Sequence, residues 1–157
     1  MYRKILVPLD GSQLSQCVLP GVRILARSLA IPEVVVLRVV EPLPEDVRNG
    51  LVELGGEQIL LLERKRRKEA DDYVNSIAKD LRGEGIQAVG SVIEGRAAEE
   101  IINYAEKNQI DLIIMSTHGR SGNMRLTMGG VALKVVNYAK TPVQTVSTKD
   151  CIVRGGC

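Results

Sequence analysis

Two segments of the chain carry residue types that could bind a charged small molecule. One is Asp10-Gly11-Ser12, and the other runs from Ser116 to Gly122 and is followed by Gly129-Gly130. Small residues let the backbone come close to a ligand, and free N–H groups at the start of a helix bind anions. A nucleotide lying across the two segments would fit this pattern.

Three charged side chains could add contacts to such a ligand. Arg120 and Arg125 could place positive charge around a phosphate chain, and Asp10 could accept hydrogen bonds from a sugar hydroxyl or assist a metal. Simpler interpretations are open: the glycines could serve turn geometry alone, and Asp10 or Ser12 could cap a helix. We interpret His118, the only histidine, as a loop hydrogen-bonding residue, because no nucleophile for it to activate is evident.

The sequence lacks the common nucleotide-binding motifs. It contains no G-x-x-x-x-G-K-[ST] segment, so it is not a P-loop protein. Gly83-Glu84-Gly85-Ile86-Gln87-Ala88 matches G-x-G-x-x-A, but it precedes a predicted strand instead of following one. We therefore reject it as a dinucleotide fingerprint.

Alternating apolar runs must position the two segments. Near-continuous runs indicate parallel strands that are buried on both faces, and apolar residues at helical spacing indicate amphipathic helices. We predict strands at 4–9, 34–40, 86–94, 111–115 and 143–148, helices at 14–29, 57–82, 97–107 and 130–140, and a loop at 42–56. Pro20 should kink the first helix or shift its start. The alternation predicts an α/β fold, an open five-stranded parallel sheet of order 3-2-1-4-5, doubly wound with helices on both faces.

Composition narrows the classes of function. The 157 residues predict one domain at 1–148 and a C-terminal tail at 149–157. Four Tyr with no Phe or Trp weigh against nucleic-acid binding by base stacking, and a net charge of +2 does not by itself indicate a polyanionic partner. We see neither a leader segment nor an apolar run near 18 residues, so we expect a cytoplasmic protein without a membrane partner.

Two further features have ordinary interpretations. Cys17, Cys151 and Cys157 form neither a disulfide framework nor a zinc-ligand spacing; we interpret Cys17 as a small buried apolar residue, and the two tail cysteines could oxidise. The basic run at 64–68 could contact nucleic acid or acidic lipid headgroups. Acidic residues flank it, which favours a solvated helix face with i,i+4 ion pairs.

Four segments carry a resemblance to a known family. They are Lys4-Ile5-Leu6-Val7-Pro8-Leu9-Asp10-Gly11-Ser12, Asp111-Leu112-Ile113-Ile114-Met115-Ser116-Thr117-His118-Gly119-Arg120-Ser121-Gly122, Gly129-Gly130 and Lys140-Thr141-Pro142-Val143. In these segments and in their order, the chain resembles the universal stress protein family over about residues 2–148.

The ATP-binding members of that family carry the pattern G-x₂-G-x₉-G-[ST]. Its four positions fall here on Ser116, Gly119, Gly129 and Gly130, so two of the four match, and Gly130 lacks the hydroxyl that the pattern would place on the phosphates. The resemblance implies an adenosine side at Pro8, Leu9 and Asp10, with Val39 against the base. It implies sugar and phosphate contacts at Met115, Ser116, Gly119, Arg120, Gly129, Gly130 and Val131.

The resemblance also implies a function. It indicates binding of ATP, AMP or ADP, with Mg²⁺ if ATP is bound, a role in stress response or signalling, and at most slow ATP hydrolysis without an assigned catalytic residue. A homodimer would form through the last strand, Val143 to Thr148. One alternative is a nucleotide-free homodimeric interaction module, which Gly130 favours; an enzyme such as a nucleotidyl transferase of related fold ranks last, because its own motif is missing.

Overall fold

A computed structural model describes residues 1–119 and 128–148 of the chain. These residues form five strands and five helices, with two consecutive helices between the second and third strands, and a short 3₁₀ helix, Ser15–Val18, precedes the first α-helix. The strands are β1 (Lys4–Pro8), β2 (Glu33–Val40), β3 (Ala88–Glu94), β4 (Leu112–Ser116) and β5 (Val143–Val146). The helices are α1 (Leu19–Ser28), α2 (Glu45–Glu53), α3 (Glu57–Gly83), α4 (Ala97–Lys107) and α5 (Gly130–Tyr138).

The strands form one sheet in the order β3-β2-β1-β4-β5, and each neighbouring pair is parallel. The predicted fold class and strand order are confirmed. Strand β1 lies at the centre because β2 adds to one side of it and β4 to the other. The chain therefore reverses its direction of winding between β1 and β4, and this reversal opens a crevice at the carboxyl ends of these two strands.

Two apolar cores lie on the two faces of the sheet. Side chains on β1 alternate between them: Ile5 and Val7 pack under α1 and α3, whereas Leu6 packs under α4 and α5. All three are fully buried. Burial on both faces explains why these strands appear as continuous apolar runs instead of alternating patterns.

The first half of the chain departs from the prediction in two places. Residues 42–56 are not simply a loop, since they contain α2. That helix follows Pro44 and has no buried residue, so it shows no apolar period that sequence analysis could detect. The predicted first helix is divided into the 3₁₀ helix and α1, and Pro20 stands in the first turn of α1, where the missing N–H is tolerated.

Cys17 lies in the 3₁₀ helix and is buried as expected. Its sulfur, however, is disulfide-bonded, which corrects the interpretation of this residue as merely a small apolar side chain. Cys17 is thus both buried and disulfide-bonded. Its burial follows from packing, whereas the disulfide bond requires a second cysteine. Cys151 and Cys157 lie outside the described residues, as does the predicted tail at 149–157.

Helix α3 is longer than the sheet that it covers. Its 27 residues span about 40 Å, whereas the eight residues of β2 span about 26 Å. Most of its buried residues, from Ala70 to Leu81, lie in its second half. The first half of α3 therefore projects beyond the carboxyl edge of the sheet. No helix in residues 1–119 and 128–148 is both long and apolar enough to cross a membrane.

Candidate functional site

A cavity of about 560 Å³ opens at the carboxyl edge of the sheet, where β1 and β4 end side by side. The residue types that surround it differ from one side to the other: aliphatic side chains come from the strand ends and α4, and backbone and polar groups come from the loops. Ten residues named from the sequence line this cavity, namely Pro8, Leu9, Asp10, Val39, Met115, Ser116, Gly119, Gly129, Gly130 and Val131. Arg120, the eleventh, and Arg125 lie outside the described residues.

Asp10 organises the loop that follows β1. Its Oδ1 atom accepts hydrogen bonds from the Ser12 N–H at 2.9 Å and from the Ser12 hydroxyl at 2.6 Å. The Ser12 hydroxyl in turn accepts the N–H of Ser15 at 3.1 Å, just where the 3₁₀ helix begins. The helix-capping alternative is therefore wrong for Asp10, whose Oδ1 atom holds a turn before the 3₁₀ helix; neither that helix nor α1 has a side-chain cap hydrogen bond, and the Asp10 side chain lines the cavity.

Gly119 brings the second loop against this carboxylate. A Cβ atom at Gly119 would collide with Oδ2 of Asp10, so any other residue here would displace the carboxylate or the loop. This is the point at which the two segments found in the sequence touch. The glycine is needed for close approach, not only for a turn.

Gly129 and Gly130 differ in what surrounds them. The Gly129 N–H donates to the carbonyl oxygen of Thr117 at 2.6 Å, and a Cβ on Gly129 would lie 3.1 Å from that same oxygen. Gly130 has open space around it and begins α5. The first N–H groups of α5 have no hydrogen-bond partner within the helix. This end of the cavity could therefore bind an anion through those N–H groups and the positive end of the helix dipole.

His118 acts as a structural hydrogen-bonding residue. The residue is 3% exposed, and its Nδ1 atom lies 3.0 Å from the Thr117 hydroxyl and 3.3 Å from the Thr148 hydroxyl. The carbonyl of His118 accepts the Ser116 hydroxyl at 2.7 Å. These bonds tie the end of β4 to the residues after β5, in agreement with the interpretation made from the sequence.

Several cavity residues escaped the sequence analysis. Arg38, Glu41 and Arg66 bring charge to the cavity, and Ala97 and Ile101 add an apolar wall from α4. The one available signal was Arg38, which interrupts an otherwise apolar strand. Its position next to the Asp10 loop is clear only in three dimensions, where its guanidinium lies 3.6 Å from the place of a Cβ on Gly11.

A tyrosine links α3 to the same loop. The side-chain amide of Gln16 donates to the Tyr73 hydroxyl at 3.2 Å. Burial raises the pKa of the Tyr73 phenol, with the Asp10 carboxylate adding to the effect, so the hydroxyl keeps its proton near neutral pH. Tyr73 therefore serves as a neutral hydrogen-bonding group behind the cavity. Within the described ranges, no group of three or more His, Cys, Asp or Glu side chains could hold a metal ion.

The chain is similar to known proteins in both sequence and structure. The model of the universal stress protein family matches residues 1–147. Universal stress protein MJ0577 of Methanocaldococcus jannaschii is 29% identical over 96% of this chain and 98% of its own length. A solved structure of MJ0577 superimposes with a TM-score of 0.78 at 30% identity, covering 94% of this chain and 96% of that one.

Two more distant structures share the fold and contain nucleotides. A universal stress protein in complex with cAMP is 17% identical, with a TM-score of 0.60 and coverage of 94% of this chain and 98% of its own. A universal stress family protein from Arabidopsis thaliana with AMP bound is 16% identical, with a TM-score of 0.63 and coverage of 92% and 90%. At these identities the likeness shows the fold alone.

Proposed function

This chain belongs to the universal stress protein family, and from that premise we propose that it binds an adenine nucleotide and acts in stress response or signalling. The observation that carries the proposal is the cavity at the carboxyl edge of the sheet. Loops that are more than one hundred residues apart in sequence form it jointly, with Asp10 against Gly119 and the start of α5 beside them.

The two kinds of lining suit the two ends of a nucleotide. Leu37, Val39, Ile101 and Met115 form an aliphatic wall that accommodates a flat, weakly polar base. Asp10 supplies a carboxylate oxygen for ribose hydroxyls, and the N–H groups that open α5 supply donors for phosphate. We therefore propose that the base lies toward β2 and the phosphate toward α5.

The phosphate end favours a nucleotide with few phosphates. Gly130 offers an N–H group but no hydroxyl, so one phosphate contact that the family pattern provides is missing. The relatives with AMP and with cAMP each hold a nucleotide with one phosphate group. We propose that AMP or cAMP binds more tightly than ATP, and that ATP, if bound, brings Mg²⁺ with it.

Any ATP hydrolysis should be slow. His118 is 3% exposed and its Nδ1 atom lies within hydrogen-bond distance of two threonine hydroxyls, which supports a structural role for this side chain over the positioning of an attacking water. A role through ligand-dependent partner choice or dimer behaviour is therefore the better proposal. Cytoplasmic location stays a prediction from the sequence.

The dimer is proposed at the free edge of β5. The carbonyls of Pro142 and Val146 accept the N–H groups of Ile113 and Thr117, so the even-numbered residues of this segment hydrogen-bond to β4. Because backbone groups alternate in direction along a strand, the N–H and carbonyl of Thr145 point away from β4. Among the described residues no further strand pairs with that edge.

Thr145→Pro should remove one hydrogen-bond donor from this edge without disturbing the hydrogen bonds between β5 and β4. Light scattering should then show monomers where the wild type forms dimers.

One experiment tests nucleotide binding directly. Freshly purified protein is denatured, and the supernatant is chromatographed for nucleotides. Calorimetry on the refolded or ligand-free protein then measures AMP, cAMP and Mg-ATP. We expect co-purified adenine nucleotide or micromolar binding of AMP. Absence of both would overturn the proposal; with dimers still present, it would support a nucleotide-free interaction module, the alternative that Gly130 favours.

A further inference from the structure

Cys17 carries a covalent bond that the proposed binding site does not use. Its sulfur is disulfide-bonded, and the chain contains two other cysteines, Cys151 and Cys157. The partner is therefore one of these two, so the bond joins the 3₁₀ helix to the end of the chain. A chain of this length needs no disulfide to build its core, and disulfides in cytoplasmic proteins mostly serve redox sensing or catalysis. The bond thus indicates a role beyond stability.

The residues before Cys17 are tied to the Asp10 side of the cavity. The Ser15 hydroxyl donates to the carbonyl oxygen of Ser12 at 2.8 Å and accepts the N–H of Asp10 at 3.3 Å. Cys17 itself is buried in the same 3₁₀ helix. A covalent constraint on its sulfur therefore acts on the loop that carries Asp10.

The chain before the other two cysteines is tied to the opposite side of the cavity. Thr148 is fully buried, its N–H donates to the Thr117 hydroxyl at 3.5 Å, and its own hydroxyl lies 3.3 Å from Nδ1 of His118. Gly119, which lies against the Asp10 carboxylate, follows directly. The last described residue therefore holds the loop that carries Gly119.

Reach favours Cys151 over Cys157 as the partner. Cys17 and Thr148 both lie beside β4, because the 3₁₀ helix packs on that strand and Thr148 bonds to the residue that follows it. Cys151 is three residues from Thr148 and Cys157 is nine, so an extended chain would span about 10 Å or about 30 Å. Effective concentration falls with roughly the −3/2 power of tether length once the tether can span the distance, which gives the shorter tether about a fivefold advantage.

We propose that a reversible disulfide between Cys17 and Cys151 clamps the two loops of the cavity together and raises nucleotide affinity. The effect on affinity rests on the proposed function, whereas the bond itself does not. With the bond closed, Asp10 is held near Gly119 before the ligand arrives, so less conformational freedom is lost on binding. With the bond open, hydrogen bonds and packing alone hold the two loops.

Opening the clamp takes two electrons and two protons from a dithiol reductant. One thiolate of the reductant attacks a sulfur of the disulfide, the S–S bond breaks, and the departing cysteine sulfur takes up a proton. The second thiol of the reductant then attacks the mixed disulfide and frees the other cysteine as a thiol. The products are two protein thiols and the cyclic disulfide of the reductant. Exchange with a small-molecule disulfide closes the clamp again.

Peptide mapping under non-reducing conditions tests the assignment of the bond. Free thiols are first blocked with iodoacetamide, and trypsin then releases the three cysteines on separate peptides, residues 5–23, 150–154 and 155–157. We expect 5–23 linked to 150–154, with the link lost in dithiothreitol and the blocking group on 155–157. A link between 5–23 and 155–157, or no link at all, would overturn the proposal.

Calorimetry with AMP tests the effect on the cavity. The oxidised wild type is compared with wild type in which dithiothreitol has freed all three thiols. Cys151→Ser removes the proposed partner, and Cys157→Ser is its matched control in the same tail. We expect reduction to weaken AMP binding at least threefold in the wild type and in the control. Cys151→Ser should bind AMP like the reduced wild type, with or without dithiothreitol.

Two outcomes of the calorimetry would count against the clamp in different ways. Equal AMP affinity of the oxidised and reduced wild type overturns the clamp and leaves the proposed function standing. Absence of AMP binding in both forms overturns the proposed function and the effect of the clamp on affinity together, and the mapped disulfide alone would remain. Circular dichroism melts verify that each variant is folded.

Discussion

Charged residues have different surroundings at the amino edge and at the carboxyl edge of this sheet. At the amino edge, Oδ2 of Asp111 accepts the N–H groups of Arg3 and Lys4 at 2.7 and 2.8 Å. The ammonium group of Lys4 pairs with Glu33 at 3.1 Å, which joins the first residues of β1 and β2. Charges here pair with one another and hold the starts of the strands together.

Glu84 shows the same arrangement between two helices. Its carboxylate pairs with Arg23 and Arg27 of α1, each at 2.7 Å, just after α3 ends. The hydrogen bond from Arg23 is the main reason that the pKa of Glu84 is lowered, with both arginine charges contributing. Because the carboxylate is exposed, this cluster should contribute only modestly to stability.

At the carboxyl edge, charged and polar groups instead face a cavity. Asp10, Arg38, Glu41 and Arg66 line it, and glycine at 119 lets the backbone come against a carboxylate. The same helices and strands thus produce one edge where charges pair within the protein and one edge where charged side chains line a cavity. Substitutions should therefore affect stability at the first edge and binding at the second.

Gly119→Ala should have the largest effect. The added methyl group collides with Oδ2 of Asp10, so the carboxylate or the loop must move, and we expect AMP affinity to fall at least tenfold, or about 1.4 kcal/mol. Calorimetry provides the measurement. Gly83→Ala is the matched control at the amino edge, where nothing lies within 4 Å of the new methyl group; an equal loss of affinity in the control would contradict the contrast between the edges.

Asp10→Ala should weaken nucleotide binding severalfold while the fold is retained. Because Oδ1 of Asp10 also holds the Ser12 N–H, we expect a loss in stability of about 1 kcal/mol as well. Ser12→Ala separates the two roles, since it removes hydroxyl hydrogen bonds in the same loop and leaves the Asp10 carboxylate in place. Urea unfolding measures the stability of both variants, and calorimetry measures their nucleotide affinity. If both variants lose similar affinity, the role of Asp10 is limited to loop structure.

Gly130→Ser should increase affinity, and more for ATP than for AMP. There is open space for the side chain at the start of α5, and one added hydrogen bond of about 1 kcal/mol corresponds to roughly a fivefold gain. Competition between the two nucleotides measures the difference. Unchanged ATP affinity would mean that the phosphates lie elsewhere. Position 130 would then no longer support ligand binding at the carboxyl edge as opposed to the amino edge.

Asp111→Asn should have the smallest effect, and only on stability. Hydrogen bonds from the N–H groups of Arg3 and Lys4 lower the pKa of Asp111, so its stabilising contribution is complete above the unfolded pKa near 4 and disappears as the pH falls through the folded value. The urea midpoints of variant and wild type should differ at pH 7 and converge below about pH 4. A difference that persists to pH 2 would show that the ionised carboxylate is not the source.

The sequence was sufficient for the sheet and for the two loops at the cavity. Buried parallel strands must be apolar on both faces, so Val34, Val35 and Val36 identified β2 and could not be confused with an exposed segment. Ten named residues surround one cavity because strand ends and the loops after them are set by sequence order once the sheet order is known. Helix α2 was missed because it buries nothing and therefore leaves no period.

Arg66 marks the boundary between what sequence and tertiary structure decide. Its helix and its spacing from Ala70 follow from local periodicity, which depends only on neighbouring residues. Whether that inward-facing position meets a core or a cavity depends on how far α3 projects beyond the sheet, and this is set by packing against strands distant in the chain. The amino acids thus determined the class, the family and the two loops, whereas only the folded chain brought Asp10 to Gly119 and placed Arg38 and Arg66 at one cavity.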